Sequence, residues 1–189
     1  MRLGLRRCLG YLPLLAVAAC VTPPPVAEQQ SDGFARTGRF ALNVEEVGRK
    51  PEAVQGGFAW RDEGSRLVLD LANPVGSTLA RLEATAGGAT LTHADGRVEY
   101  AADVETLLAQ VLGGPMPVTV LRAWLRGKLA EGSRAENVER DADGQLMSFT
   151  QQGWEVRLWR YDAQGPLRLN AKRQDGLQSI DLRLVVQAS

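Results

Sequence analysis

Histidine and cysteine are nearly missing from this chain: 189 residues contain one His and two Cys. An imidazole-based zinc site needs several such ligands, and a Ser-His-Asp triad or a Cys-His dyad needs a base beside its nucleophile. His93 alone cannot supply these, and its place on a short strand before Ala94-Asp95-Gly96 marks it as a surface residue. Surplus charge is missing as well. Lys+Arg and Asp+Glu are both 22, so the formal net charge is zero, and the basic footprint of a nucleic-acid binder is absent. There is no G-x-x-x-x-G-K-[ST] phosphate loop of the kind that cradles ATP. The leading apolar stretch, Leu9 to Ala19, has eleven residues, short of the ~20 that a helix needs to cross a bilayer. These absences point to a protein that is not an enzyme, with no metal, no cofactor and no nucleic-acid partner. What remains is ordinary for one globular domain: 44% hydrophobic and 23% charged residues.

The N-terminus is unlike the rest. Arg2, Arg6 and Arg7 precede the apolar stretch, the pattern of a secretory signal peptide. Val17-Ala18-Ala19-Cys20 resembles the bacterial lipobox, which implies cleavage after residue 19 and acylation of Cys20. Cys8 leaves with the signal, so no disulfide is available to the mature chain. Removing three Arg and no acids leaves 19 basic against 22 acidic residues, a net charge of about −3. Two or more acyl chains anchor a protein stably. Val21 follows the Cys, and the Asp that favours inner-membrane retention is absent, which leaves outer-membrane sorting open. Residues 20–32, with three consecutive prolines, read as an extended tether, and 33–189 as the folded domain.

In that domain a period of two dominates. Phe40, Leu42 and Val44 share a parity, as do Phe58 and Trp60, then Leu67, Leu69 and Leu71, then Trp154, Val156 and Leu158, then Ile180, Leu182, Leu184 and Val186. Such runs are half-buried antiparallel strands. Asp95-Gly96, Asp143-Gly144 and Asp175-Gly176 punctuate them as hairpin turns. The count is about ten or eleven strands. One segment breaks the period: Val104, Leu107, Leu108, Val111 and Leu112 follow helical spacing behind Asp103 as N-cap, and Gly113-Gly114 ends them. Pro115-Met116-Pro117 opens a second helix carrying Leu121, Trp124 and Leu125, with Gly127 as its stop. A helical hairpin over about 103–127 is thus inserted between six strands and five.

So many strands with one apolar face curl. The fold class is mainly β: a curved antiparallel sheet, an incomplete barrel, with the inserted helices as a lid over its concave face. Periodicity leaves two outcomes open, a hydrophobic cavity under the lid or a filled core. The inward candidates are Phe40, Leu42, Phe58, Trp60, Leu69, Leu71, Leu107, Leu108, Leu121 and Trp124. Glu45-Glu46 and Asp62-Glu63 read as solvated turns. Arg122 and Arg126 read as a solvated helix face, with contact to an acidic protein surface or phospholipid headgroups as the alternative.

Several segments, in order and spacing, resemble the LolB family. They are Gly57-Phe58-Ala59-Trp60, Leu71-Ala72-Asn73-Pro74-Val75-Gly76-Ser77-Thr78, Tyr100-Ala101-Ala102-Asp103, Pro115-Met116-Pro117-Val118, Leu121-Arg122-Ala123-Trp124-Leu125-Arg126-Gly127 and Gly153-Trp154-Glu155-Val156. The resemblance implies a monomeric lipoprotein on the periplasmic face of the outer membrane. It would take triacylated lipoproteins from the soluble carrier LolA, shelter their acyl chains in the cavity, and insert them among outer-membrane phospholipids. It also implies a membrane-insertion loop at Pro74, Val75 and Gly76, where the family carries an exposed Leu and this chain has Val75. Valine is one methylene smaller, about 0.8 kcal/mol of burial. After the second helix the family has Gly-Leu-Pro and this chain reads Gly127-Lys128-Leu129, which predicts a less rigid exit from the lid. The rival readings are a lipid-anchored hydrolase, for which His93 is too little, and a structural or assembly lipoprotein with a filled core.

Overall fold

Alternation of buried and exposed side chains runs through nearly every strand of the computed structural model, which describes residues 33–112 and 116–188. The signal segment 1–19, Cys20 and the tether to residue 32, and the Gly113-Gly114 and Pro115 punctuation lie outside the described residues. Six strands come first: β1 (Phe34–Glu46), β2 (Glu52–Asp62), β3 (Arg66–Ala72), β4 (Thr78–Thr85), β5 (Gly88–His93) and β6 (Val98–Ala101). Two helices follow, α1 (Val104–Leu112) and α2 (Val118–Trp124). The chain closes with β7 (Ala135–Arg140), β8 (Leu146–Gln151), β9 (Trp154–Asp162), β10 (Gly165–Asp175) and β11 (Gln178–Val186). No helix among the described residues is long and apolar enough to cross a membrane.

All eleven strands form one antiparallel sheet in the order β6-β5-β4-β3-β2-β1-β11-β10-β9-β8-β7. The chain therefore starts at the centre, meanders out to one edge, crosses through the helices to the other edge, and meanders back. The two halves are joined where β1 pairs β11, Leu42 opposite Leu182 and Phe40 opposite Leu184. The inner face reads across the sheet as apolar rows, for example Leu91–Leu82–Leu69–Trp60. Strand β3 departs from strict alternation, since Leu67, Val68 and Leu69 are all buried.

Two rings mark where the sheet bends. Phe58 lies against Gly38 and Phe40 against Gly56, each across the β1–β2 pair. A Cβ on Gly38 would collide with the Val185 carbonyl, and one on Gly56 with the Ala72 carbonyl. Glycine is needed there because backbone from the next strand occupies the side-chain volume. The β3–β4 ladder also shifts register at Leu71/Ala72, a bulge that increases local twist.

The helices cover the concave face. Leu107, Leu108 and Leu112 of α1 and Val118, Val120, Leu121 and Trp124 of α2 are buried against it. Asp103 caps α1 as the sequence predicts, accepting from the backbone N–H of Glu105 at 3.1 Å and of Thr106 at 3.2 Å. The chain turns at two ends. The β2–β3, β4–β5, β7–β8 and β9–β10 turns share one end with Phe34, which pairs Asp62. The β3–β4 turn, carrying Val75, lies at the other.

Candidate functional site

One pocket between sheet and lid is lined by apolar side chains alone. Phe40, Phe58, Trp60, Leu69 and Leu71 contribute the sheet wall with Leu184, and Met116, Leu121 and Leu125 contribute the lid wall. The room left between them is about 20 Å³, the scale of a single water. Six of the ten predicted inward residues line it. The other four, Leu42, Leu107, Leu108 and Trp124, are buried elsewhere in the same core. Met116, Leu125 and Leu184 were not among the ten. Trp60 is 2% exposed, and its indole Nε1 has no hydrogen-bond partner among the described residues. A buried donor left unpaired is costly, and this one belongs to a residue that lines the pocket.

Trp124 has a different duty. Its Nε1 donates to Gln151 Oε1 at 3.0 Å, and its ring meets Phe149 edge-on at 5.8 Å. Gln151, 1% exposed, also accepts from the Ala130 N–H at 3.0 Å and donates to the Ala130 carbonyl at 2.8 Å and the Ser133 carbonyl at 3.0 Å. One side chain on β8 thus fastens both the end of α2 and the segment after it. The lid exit is secured further by Gly127 N–H donating to the Trp124 carbonyl at 2.9 Å and Lys128 N–H to the Ala123 carbonyl at 3.0 Å. This is a Schellman pair with Gly127 at φ +68°. At this exit, which lacks the family's Pro, Gln151 and main-chain bonds are the contacts that hold the chain.

Charge locks the lid to the sheet, and here the sequence expectations for Asp62, Arg122 and Arg126 are corrected. Asp62 ends β2 and its side chain is 4% exposed. It accepts from Arg122 Nε at 3.0 Å and from a second Arg122 nitrogen, with Arg126 at 3.5 Å and the Gly64 N–H at 2.9 Å. Arg122 also donates to the Gly64 carbonyl at 2.7 Å. The Arg126 guanidinium lies 4.1 Å from the centre of the Phe34 ring, a cation–π contact. Neither arginine is a free helix face, because both turn toward a buried carboxylate. Burial pushes the Asp62 carboxyl upward, but the hydrogen bonds and charge of Arg122 outweigh it and hold the group below its ordinary value. Nearby, Arg36 forks onto Asp162 at 2.7 and 2.6 Å, which with the backbone N–H groups of Gln164 and Gly165 holds Asp162 well below the carboxylate range. On the lid itself, Glu105 of α1 accepts from the Thr119 N–H at 2.9 Å and its hydroxyl at 2.6 Å, tying the first turn of α2 to α1.

The β3–β4 turn is built to present its tip. Asn73 Oδ1 accepts from the N–H groups of Val75 at 3.1 Å and Ser77 at 2.9 Å, and Gly76 N–H closes the turn on the Asn73 carbonyl. Gly76 takes φ +93°, a conformation glycine adopts without penalty. Val75 is left 86% exposed, more than any other large apolar residue described. His93, expected on the surface, is half-buried and bonded to Glu99 at 2.9 Å. Among the described residues no cluster of His, Cys, Asp and Glu could hold a metal.

An open sheet curled under a latched helical lid, with an apolar interior and an apolar loop at its rim, defines a lid-covered β domain. The family model described as outer membrane lipoprotein LolB matches residues 32–188. The chain is 49% identical over 177 residues to the outer-membrane lipoprotein LolB of Bordetella pertussis, covering 93% of this chain and 89% of that protein. It is 37% identical over 190 residues to the one of Cupriavidus taiwanensis, covering 95% and 93%. A solved LolA superfamily protein from Nitrosomonas europaea superposes with a TM-score of 0.44 at 6% identity, covering 82% of this chain and 84% of that one. The chain belongs to the LolB family of outer-membrane lipoproteins, which places it at the outer membrane on a lipid anchor.

Proposed function

We propose that this protein receives lipoproteins from a LolA-type carrier, shelters their acyl chains between sheet and lid, and passes them into the outer-membrane phospholipid through the Val75 loop, acting as a monomer held by acylated Cys20. The observation that carries the reading is the wholly apolar wall of Phe40, Phe58, Trp60, Leu69 and Leu71 facing a lid that is latched by charge at one place. Leu42, Leu107, Leu108 and Trp124 support that wall from the surrounding core.

The physics of the task is solvation. Three acyl chains bring about 45 methylenes, and at about 0.8 kcal/mol each they cannot enter water without a cost of tens of kcal/mol. An apolar interior supplies the substitute solvent and needs no covalent chemistry. A room of about 20 Å³ does not admit such a chain, so acceptance displaces the lid and exchanges contacts of Met116, Leu121 and Leu125 for contacts with cargo. The unpartnered Trp60 N–H offers a donor to the ester carbonyls at the glycerol end of the chains. Release is downhill when the bilayer holds the chains better than the protein does. Val75, at 86% exposure, is the apolar residue that meets the bilayer first.

The test uses the chain anchored in vesicles, a carrier loaded with a lipoprotein, and separation of protein-bound from bilayer-inserted cargo. Cargo moves from carrier to the protein and then to the bilayer, and Val75→Glu blocks the second step alone. No movement from a cognate carrier would overturn the receptor role. Equal delivery by Val75→Glu would remove the loop from it.

A further inference from the structure

On the convex face, opposite the lid, the register sets a row of four side chains across four strands. Arg39 of β1 pairs Val185 of β11, which pairs Arg168 of β10, which pairs Trp159 of β9. At strand spacing the row is about 14 Å long. The next row reads Ala41, Arg183, Asn170 and Arg157. Val185 is 42% and Trp159 45% exposed, so the row carries two exposed apolar side chains beside its arginines. The positive φ of Arg160, 57°, interrupts the alternation of β9, so that Trp159 and Arg160 are both exposed. Glu45, Asp181 and Glu155 share this face but lie beyond the two arginine rows. Asp181 is shared by Arg183 at 2.7 Å and Lys172 at 3.9 Å, and Glu155 lies opposite Lys172. Arg39 and Arg157 meet no carboxylate among the described residues, and Arg168 donates to the Leu167 carbonyl on its own strand.

The band runs into the Val75 loop. A recess of about 310 Å³ is bounded by Arg39, Arg183, Gln55 and Pro74, the residue before Val75. We infer that this recess and the Arg39–Val185–Arg168–Trp159 row bind phospholipid headgroups, the arginines taking the phosphate oxygens while Val75 enters the apolar layer. The inference rests on the loop's role proposed above. Guanidinium forks match phosphate oxygens, and an exposed Trp between arginines suits the boundary where one side of the ring is wet and the other apolar. An acidic protein surface would satisfy the arginines but leaves Val185 and Trp159 unexplained. Continuity with Pro74 selects the membrane.

The experiment uses the chain anchored in vesicles of phosphatidylethanolamine and phosphatidylglycerol, some bearing a nitroxide on the headgroup. Trp60, Trp124 and Trp154 are buried, so Trp159 is the reporter and Trp159→Phe gives the background. Trp159 emission is quenched by the headgroup label, the Arg39→Gln/Arg168→Gln double variant reduces that quenching at least two-fold, and added salt weakens it. Undiminished quenching in the double variant overturns the proposal. So does a Trp159 signal that ignores vesicles and changes only with loaded carrier, which would assign the band to a protein partner. Val75→Trp in the Trp159→Phe background, read with brominated acyl chains, reports the loop separately. Quenching at position 75 without quenching at 159 removes the headgroup site and keeps the loop. The reverse supports the headgroup site and removes the loop.

Discussion

Replacing Asp62 by Asn tests whether the charge latch governs the lid or merely the fold. Deleting one partner of a fully buried ion pair costs about 3–5 kcal/mol. Asp62 is 4% exposed, but Arg122 and Arg126 keep 35% and 30% of their side-chain surface. Water therefore recovers part of the loss, and a cost of about 2 kcal/mol is expected. Borne by lid opening alone, that raises the open population about 30-fold. Amide hydrogen exchange of the vesicle-anchored protein reads this directly: amides of α2 exchange about 30-fold faster in Asp62→Asn, while those of the central β1–β11 pair change little. Equal acceleration in α2 and in β1–β11 would refute the argument, because Asp62 would then hold the whole sheet. The pH dependence has a definite sign. The folded Asp62 lies below its ordinary value of 3.8, so its contribution is complete above that value and is lost as pH falls through the depressed one. Wild-type lid protection is then flat from neutral pH down to about 4 and weakens only below, and Asp62→Asn lacks the acid step.

Two further changes separate support from chemistry. Gln151→Leu strands the Trp124 N–H and three main-chain groups bonded to Gln151, and thermal unfolding should show a loss of about 3 kcal/mol with the lid exit most affected. Trp60→Phe removes a donor that has no partner, so stability changes by about 1 kcal/mol or less, while cargo retention in the transfer assay falls about five- to ten-fold if the N–H serves an ester carbonyl. Retention equal to wild type would assign Trp60 to packing alone.

Much of this architecture is legible in residue order because a period of two exposes which face each strand buries. The parity of Phe40, Leu42, Phe58, Trp60, Leu69 and Leu71 identifies the concave face, and Asp103 and Gly127 mark helix ends by their backbone chemistry. The turn at Asn73 is legible for the same reason. What stays hidden depends on register and on distance along the chain. Asp62 meets Arg122 sixty residues on and Arg36 meets Asp162 across 126, and a lone acid at a strand end carries no sign of a partner so far away. Gln151 left one trace, since it shares the inward parity of Phe149 on β8. The convex row of Arg39, Val185, Arg168 and Trp159 has no trace at all until the pairings of four strands align it.

The opposed positions of Phe34 and Val75 bear on how the molecule is moored. From Phe34 to the row of Arg39 and Ala72 is five residues of extended strand, about 17 Å, and the turn that carries Val75 lies just beyond it. Residues 20–32 number thirteen and can reach at most about 45 Å. Fully extended, a stretch of that length exceeds the body it would double back along. On the proposed attachment at Cys20, the domain can therefore stand on its far end, with the Val75 loop on the same bilayer that holds its anchor, and sweep that surface without letting go.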